Sequence, residues 1–153
     1  MLFPISRDSI TKARFIQDVR DYIESFSESG ERDDIGGTDI LSTLHLVGAE
    51  LQAQPQHRTT FILFSDMLQA NQVMNLEGLV RMPADNWIRQ QAEQGTLPDL
   101  TGLCVYVVGA REDNRVSQIV KEFWTEYFEV TGATLADQNY TYRPVQIPDR
   151  PCP

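Results

Sequence analysis

Three oxygen-bearing side chains, Thr38, Asp39 and Asp66, have the types and the spacing that could serve a metal ion. Thr38 and Asp39 follow two glycines and open a helical pattern, and Asp66 ends the apolar run TTFILFSD, residues 59–66. In open α/β sheets, ligands bind outside the carboxyl ends of the strands, where helix starts also lie. A hydroxyl and carboxylates that meet there suit a hard cation such as Mg²⁺. The alternative is that Thr38 only caps its helix and Asp66 only caps the turn after its strand.

The elements that must position these residues alternate between strands and amphipathic helices. Residues 59–66 and 103–110 are apolar on both faces and lack a helical stripe, which predicts buried, central parallel strands. Helical periodicity covers four stretches, residues 11–26, 38–54, 83–94 and 116–131. In the last of these, aromatic side chains at helical spacing predict a face packed on the sheet. The alternation predicts an α/β, Rossmann-like three-layer α/β/α fold with a mainly parallel sheet.

The remaining segments carry weaker patterns. Residues 67–82 are predicted to be irregular, with a turn of helix around Leu76–Val80. A last short strand is predicted at 133–135, and residues 136–153 form a proline-rich C-terminal tail. The folded domain is therefore expected to span residues 1–135.

Composition excludes several classes of protein. The 153 residues carry 13 Lys and Arg against 22 Asp and Glu, a net charge of 13 − 22 = −9, which argues against a nucleic-acid or membrane-surface binder. No apolar run approaches the roughly 18–20 residues needed to cross a bilayer. The N-terminus lacks a signal-peptide pattern, so we expect a cytoplasmic protein. Two cysteines, of which Cys104 lies in a strand pattern as a packing residue, predict no disulfide framework.

Two segments together resemble the von Willebrand factor A (vWA) domain. They are GGTDILSTLHLVGAELQ, residues 36–52, and TTFILFSDM, residues 59–67. In that family a threonine begins a helix after a glycine-containing loop, and an aspartate ends the next strand in a (T/S)DG-like motif. LCVYVVGA, residues 103–110, and the helix that follows it resemble the family's next strand and helix. The resemblance covers roughly residues 34–135.

The resemblance implies a metal-ion-dependent adhesion site, in which Thr38 matches the threonine and Asp66 the aspartate. The family's other ligands come from a DxSxS motif at the end of its first strand, and no DxSxS occurs in this sequence. Residues 8–11, Asp-Ser-Ile-Thr, come closest and do not fit. The chain therefore resembles a vWA domain that is incomplete at its N-terminus, and the loss of a central strand would leave open sheet edges.

We therefore expect a non-enzymatic protein-interaction module with a degenerate or incomplete adhesion site. A protein partner is expected, together with self-association through open sheet edges. Mg²⁺ would bind weakly or not at all with Thr38 and Asp66 alone. Two alternatives stay open. One is a Mg²⁺-dependent phosphoester hydrolase that uses Asp66 and Asp39 as metal carboxylates, and the other is a structural subunit of a larger assembly.

Overall fold

The computed structural model describes residues 38–53, 59–79 and 81–143, and Gln17 in a helix. The chain divides into two units, Met1–Ile35 and Gly36–Pro153. All the elements below belong to the second unit. The closest match to DxSxS, at residues 8–11, lies outside the described residues, as does the helical pattern at 11–26 apart from Gln17.

A parallel sheet of three strands runs through the second unit. The strands are β1 (Thr59–Phe64), β2 (Leu103–Val108) and β3 (Tyr140–Thr141), in the order β1-β2-β3. β1 and β2 pair in parallel over their full length, whereas β3 pairs only with the last two residues of β2. The predicted α/β class with a parallel sheet is therefore confirmed.

The described residues of the second unit include three helices. They are α1 (Ile40–Ala53), α2 (Trp87–Glu93) and α3 (Arg115–Val130), and short 3₁₀ turns cover Glu77–Leu79 and Asp137–Asn139. Helix α2 lies between β1 and β2 in the chain, and α3 lies between β2 and β3, as crossovers between parallel strands require. None of the helices in the described part of the chain is long and apolar enough to cross a membrane.

The two strands that the sequence predicts to be equally buried differ in the structure. All six residues of β2 are buried, while β1 is only half-buried and Phe64 is 68% exposed. The difference follows from position, because β2 has a neighbour on each side and β1 pairs only with β2 among the described residues. The prediction of a buried strand at 59–66 is thus correct in type and direction and wrong in burial. Apolar composition does not distinguish an edge strand from a central one.

Helix α3 supplies the aromatic part of the core. Its buried side chains are Val120, Phe123, Trp124, Tyr127 and Phe128, and the Phe123 and Trp124 rings meet edge to face with centroids 5.1 Å apart. The Nε1 of Trp124 donates a buried hydrogen bond of 2.8 Å to the carbonyl of Met67. This bond joins α3 to the segment that follows β1.

Strand β3 lies inside the stretch that the sequence assigns to a tail. The predicted strand at 133–135 contributes only an isolated bridge between Thr134 and Cys104, and the sheet continues instead at Tyr140–Thr141. A strand of two residues has no periodic pattern of its own. It forms because it pairs with the last two residues of β2, and this pairing is a tertiary contact.

Cys104 is buried on β2 and is disulfide-bonded. Its burial confirms the expected packing role, and the disulfide is an addition that the sequence did not predict.

Replacing Trp124 with phenylalanine tests the bond between α3 and the segment after β1. Phenylalanine keeps an aromatic ring but leaves the buried Met67 carbonyl without a donor, so we expect a loss of about 2–3 kcal/mol in the free energy of unfolding. Urea denaturation measures the loss. Trp87→Phe is the matched control at a half-buried site and should cost about 1 kcal/mol. Equal losses in the two variants would contradict the role of the Trp124 hydrogen bond.

Candidate functional site

The segment after β1 turns away from the strand through a set of short-range hydrogen bonds. The backbone N–H of Ser65 donates to the Val108 carbonyl at 2.9 Å, which continues the ladder by one residue. Ser65 Oγ then accepts from the N–H of Met67, and Asp66 Oδ1 accepts from the N–H of Leu68, both at 3.0 Å. Asp66 therefore lies just beyond the carboxyl end of β1, is exposed, and uses one carboxylate oxygen to close its own turn.

Met67 has a backbone conformation that non-glycine residues rarely adopt. Its φ of 66° is in the left-handed region, which costs an L-residue roughly 1–2 kcal/mol. The side chain is fully buried and the carbonyl accepts the Trp124 hydrogen bond. Burial and this bond together offset the backbone cost and hold the turn in place.

The buried side chain of Gln69 is the centre of the site. Its Oε1 accepts from the N–H groups of Ile40 at 2.6 Å and Leu41 at 3.2 Å, and its Nε2 donates to Asp39 Oδ1 at 3.1 Å. The first N–H groups of an α-helix have no partner within the helix. Gln69 supplies that partner from another part of the chain and so joins the segment after β1 to the start of α1.

The carboxylate of Asp39 accepts hydrogen bonds on both oxygens. Oδ1 accepts from the Ser42 N–H at 3.2 Å and from the side-chain amides of Gln69 and Asn71, each at 3.1 Å, while Oδ2 accepts from Ser42 Oγ at 2.7 Å. Burial raises the pKa of Asp39, but the hydrogen bonds from Ser42, Gln69 and Asn71 outweigh burial and hold this pKa below its ordinary value. Because its carboxylate reaches the Ser42 N–H, Asp39 is the N-cap of α1.

The structure therefore assigns different roles to the residues predicted from the sequence. Thr38, expected to cap α1, is exposed and its carbonyl accepts from the Ala70 N–H at 2.8 Å. The cap is Asp39, whose carboxylate bonds Gln69 and Asn71 in the same segment. Thr38 and Asp39 thus both contact the segment that begins at Asp66.

The donor set does not fit a complete Mg²⁺ site. Mg²⁺ takes six oxygen ligands in near-octahedral geometry, whereas the Asp39 carboxylate is already bonded to N–H and O–H donors. Within residues 38–53, 59–79 and 81–143, no group of three or more His, Cys, Asp or Glu side chains is placed to hold a metal ion. Thr38, Asp39 and Asp66 are all exposed, and Asp39 is the one whose two carboxylate oxygens both accept hydrogen bonds within the fold.

Gln69 and Asn71 are the residues that sequence reasoning missed. Both lie in the stretch 67–82, which has no periodic pattern and was expected to be irregular. The available signal was a glutamine within the otherwise apolar run MLQA, residues 67–70. Only the fold places that glutamine against the start of a helix 29 residues earlier in the chain.

A second polar cluster follows β2. Lys121 Nζ is 2.9 Å from Glu112 Oε2 and 3.7 Å from Asp137 Oδ1, and it lies 5.5 Å from the centre of the Tyr140 ring. Burial raises the pKa of Tyr140, and the carboxylates of Glu112 and Asp66 raise it further. Its buried hydroxyl has no hydrogen-bond partner among the described residues. The cluster joins α3 to the loop after β2 and to β3.

A cavity of about 290 Å³ lies near the amino end of β2, at the end of the sheet opposite to Asp66. Its walls come from the loop before β2, with Leu97, Pro98 and Asp99, and from the end of α3, with Thr131 and Gly132. These residues adjoin the amino end of β2, so the cavity is separate from the Asp66 edge.

Comparison of the chain with protein-family models, with curated proteins and with solved structures finds no match. The resemblance to the vWA domain therefore depends on the motifs described above. It stays a prediction.

Replacing Gln69 with leucine tests its role at the start of α1. Leucine fills a similar volume but leaves the Ile40 and Leu41 N–H groups without an acceptor, so we expect a loss of about 2–4 kcal/mol in the free energy of unfolding. Gln72→Leu, at an exposed position of the same segment, should change stability by less than about 0.5 kcal/mol. A Gln69→Leu protein as stable as the wild type in urea would show that the helix start does not need this acceptor.

The pKa of Asp39 predicts how stability changes in acid. Because this pKa is lower in the folded than in the unfolded chain, the stabilisation is fully present above the unfolded value, about 4, and is lost as the pH falls through the folded value. Asp39→Asn keeps a capping oxygen but does not titrate. The stability difference between wild type and Asp39→Asn should therefore be constant from about pH 7 to about pH 5 and shrink as the pH falls below about 4. A difference that stays constant below about pH 4 as well, measured by urea denaturation, would contradict the assignment.

Proposed function

We propose that the chain is a non-enzymatic protein-interaction module of vWA-like, three-layer architecture with a degenerate metal-ion-dependent adhesion site. The observation that carries the proposal is the exposure of β1 along one edge. This strand has the apolar composition of a central strand, yet it stands at an edge among the described residues and exposes 68% of Phe64. An unpaired strand edge is a template for pairing with another chain, and the exposed Phe64 ring adds apolar surface beside it.

Features of the sheet support the proposed architecture. The strands are all parallel, and a helix lies between each successive pair along the chain. Both faces of β2 are buried, as expected for a sheet covered on both sides. Met67 stands at the glycine position of the (T/S)DG-like motif and has a φ of 66°, a value that glycine adopts at little cost. These features favour the vWA interpretation.

The hydrogen bonds of Asp39 favour a module that works without a metal ion. Oδ1 of Asp39 already accepts three hydrogen bonds, so Mg²⁺ at that oxygen would have to displace Ser42, Gln69 or Asn71. Only Oδ2, which accepts from Ser42 Oγ, keeps an open lone pair. Displacing Gln69 would also disturb the acceptor of the first N–H groups of α1. Without Asp39, the predicted ligands reduce to Thr38 and Asp66. A partner would then bind through apolar and backbone groups.

The same bonds bear on the alternatives. A phosphoester hydrolase that uses Asp66 and Asp39 needs both carboxylates free for metal, and Asp39 is engaged within the fold. A structural subunit of a larger assembly would share the exposed edge of β1 and would differ only in the permanence of its partner. In each case the net charge of −9 favours a protein partner over nucleic acid.

Site-specific photo-crosslinking tests the interaction function. A photoreactive phenylalanine analogue replaces Phe64 in one protein and Leu46 in a control; Leu46 is 74% exposed on α1. In the cells that produce the protein, we expect discrete adducts with another protein from position 64 and none from position 46, because only position 64 adjoins the open strand. The absence of adducts from position 64, or the same adducts from both positions, would contradict the proposal.

Metal binding and phosphoester hydrolysis are tested on the same protein. Calorimetric titration of wild type and Asp66→Ala with Mg²⁺ and Mn²⁺ should give no binding heat in either, because the Asp39 carboxylate is engaged. Binding heat in the wild type that is absent from Asp66→Ala would contradict this expectation and show that the site binds a metal ion through Asp66. Mg²⁺-dependent release of phosphate from a generic phosphate ester, lost in Asp66→Ala, would favour the hydrolase.

A further inference from the structure

The outer edge of β1 presents backbone groups of alternate residues. In a parallel pair, the N–H and C=O of one residue point to the same neighbouring strand, and the next residue points the other way. Ser65 donates to the Val108 carbonyl on β2, so the odd-numbered residues of β1 face β2. Thr60, Ile62 and Phe64 therefore direct their N–H and C=O groups outward. No strand within 38–53, 59–79 or 81–143 pairs with them.

The residues of β1 themselves carry none of the sequence features that protect sheet edges in other proteins. Natural edge strands are interrupted by charged residues, proline or bulges, which prevent unwanted pairing. The residues of β1, TTFILF, include no charge, no proline and no glycine. They pair with β2 without a bulge over all six positions. The strand is therefore suited to accept a further strand.

The formal charges of α1, β1 and the segment up to Leu79 are all negative among the described residues, although Arg58 precedes β1 in the sequence. The described residues from α1 through the segment after β1, 38–53 and 59–79, contain no lysine or arginine. They contain four carboxylates, those of Asp39, Glu50, Asp66 and Glu77. The carboxylate of Asp66 is exposed at the carboxyl end of β1. Complementary charge steers and orients partners, so this edge favours a basic partner, whereas a second copy of this chain would bring the same acidic side and another net charge of −9.

We propose that the outer edge of β1 binds an extended segment of another protein, which adds to the sheet as a parallel strand and carries lysine or arginine at its carboxyl end beside Asp66. The direction follows from the sheet, whose described strands are all parallel, and from the apolar faces of β1, which are typical of a strand with parallel neighbours on both sides. Strand addition is a known mode of peptide recognition, in which backbone hydrogen bonds give affinity. The inference depends on the proposed function and names its class of partner.

Synthetic peptides serve as the probe. The test peptide alternates valine and threonine and ends in two arginines. One control peptide has the arginines at its amino end, and a second replaces them with two glutamates. Fluorescence anisotropy measures the affinity of each peptide for the full chain. Amide hydrogen exchange by NMR then follows Thr60, Ile62 and Phe64 against Phe61, Leu63 and Ser65.

The test peptide should bind tightest. It should slow amide exchange at Thr60, Ile62 and Phe64 and leave the already bonded odd-numbered amides unchanged. The glutamate peptide should bind about fivefold more weakly, since attraction to the exposed Asp66 carboxylate is lost and replaced by repulsion. Equal affinity of the arginine and glutamate peptides would overturn the basic partner, and tighter binding of the peptide with arginines at its amino end would overturn the parallel direction. Slow exchange of the even-numbered amides that appears without peptide and increases with protein concentration would show that the edge binds a second copy of this chain instead.

A variant pair isolates the backbone contribution. Ile62→Pro removes one outward N–H and spares the β2 ladder, and it should weaken the test peptide by about tenfold. Ile62→Val keeps the N–H and should bind like the wild type. Unchanged binding to Ile62→Pro would overturn strand addition. If Ile62→Pro does not fold, the exchange pattern of the wild type decides alone.

The crosslinking experiment separates this inference from the proposed function. Crosslinked adducts from position 64 without protection of the even-numbered amides would overturn the inference and leave the interaction function standing. The absence of adducts from position 64 would overturn the interaction function itself.

Discussion

The hydrogen bonds made by the Gln69 side chain hold the carboxyl edge of this sheet together. A buried amide that finds partners for its oxygen and its nitrogen stabilises the fold, and one left without partners costs a large fraction of the stability of a small domain. Here the oxygen accepts from the first N–H groups of α1 and the nitrogen reaches Asp39. The position of the segment after β1 therefore depends on the start of α1, and the reverse is also true.

This arrangement gives the Asp39 carboxylate a structural role at the start of α1. Asp39 stands where a helix start could present it to a ligand, and its negative charge is favourable at that end of the helix. The amides of Gln69 and Asn71 and both donors of Ser42 turn its oxygens toward the protein instead. The fold itself thus supplies hydrogen-bond donors to both oxygens of this carboxylate.

The apolar composition of β1 does not match its position at the edge of the described sheet. β1 has the residues of a strand covered on both edges, and β2, with similar composition, is covered on both edges and buried. Along β1 the described chain supplies only one neighbour, so backbone groups and Phe64 stay exposed. Binding another protein along this edge would give β1 the second neighbour that its composition fits.

The sequence by itself determined the kinds of elements, because periodicity and apolar runs are local properties. It predicted strands at 59–66 and 103–110, which the structure has as Thr59–Phe64 and Leu103–Val108, and it placed the aromatic face of α3 in the core. Only the tertiary structure decided that β1 is half-exposed, that Tyr140–Thr141 joins the sheet, and that Gln69 and Asp39 bond each other. These outcomes depend on which groups compete for the same N–H donors and strand edges. Those competitors are far apart in the chain, so no local pattern records them.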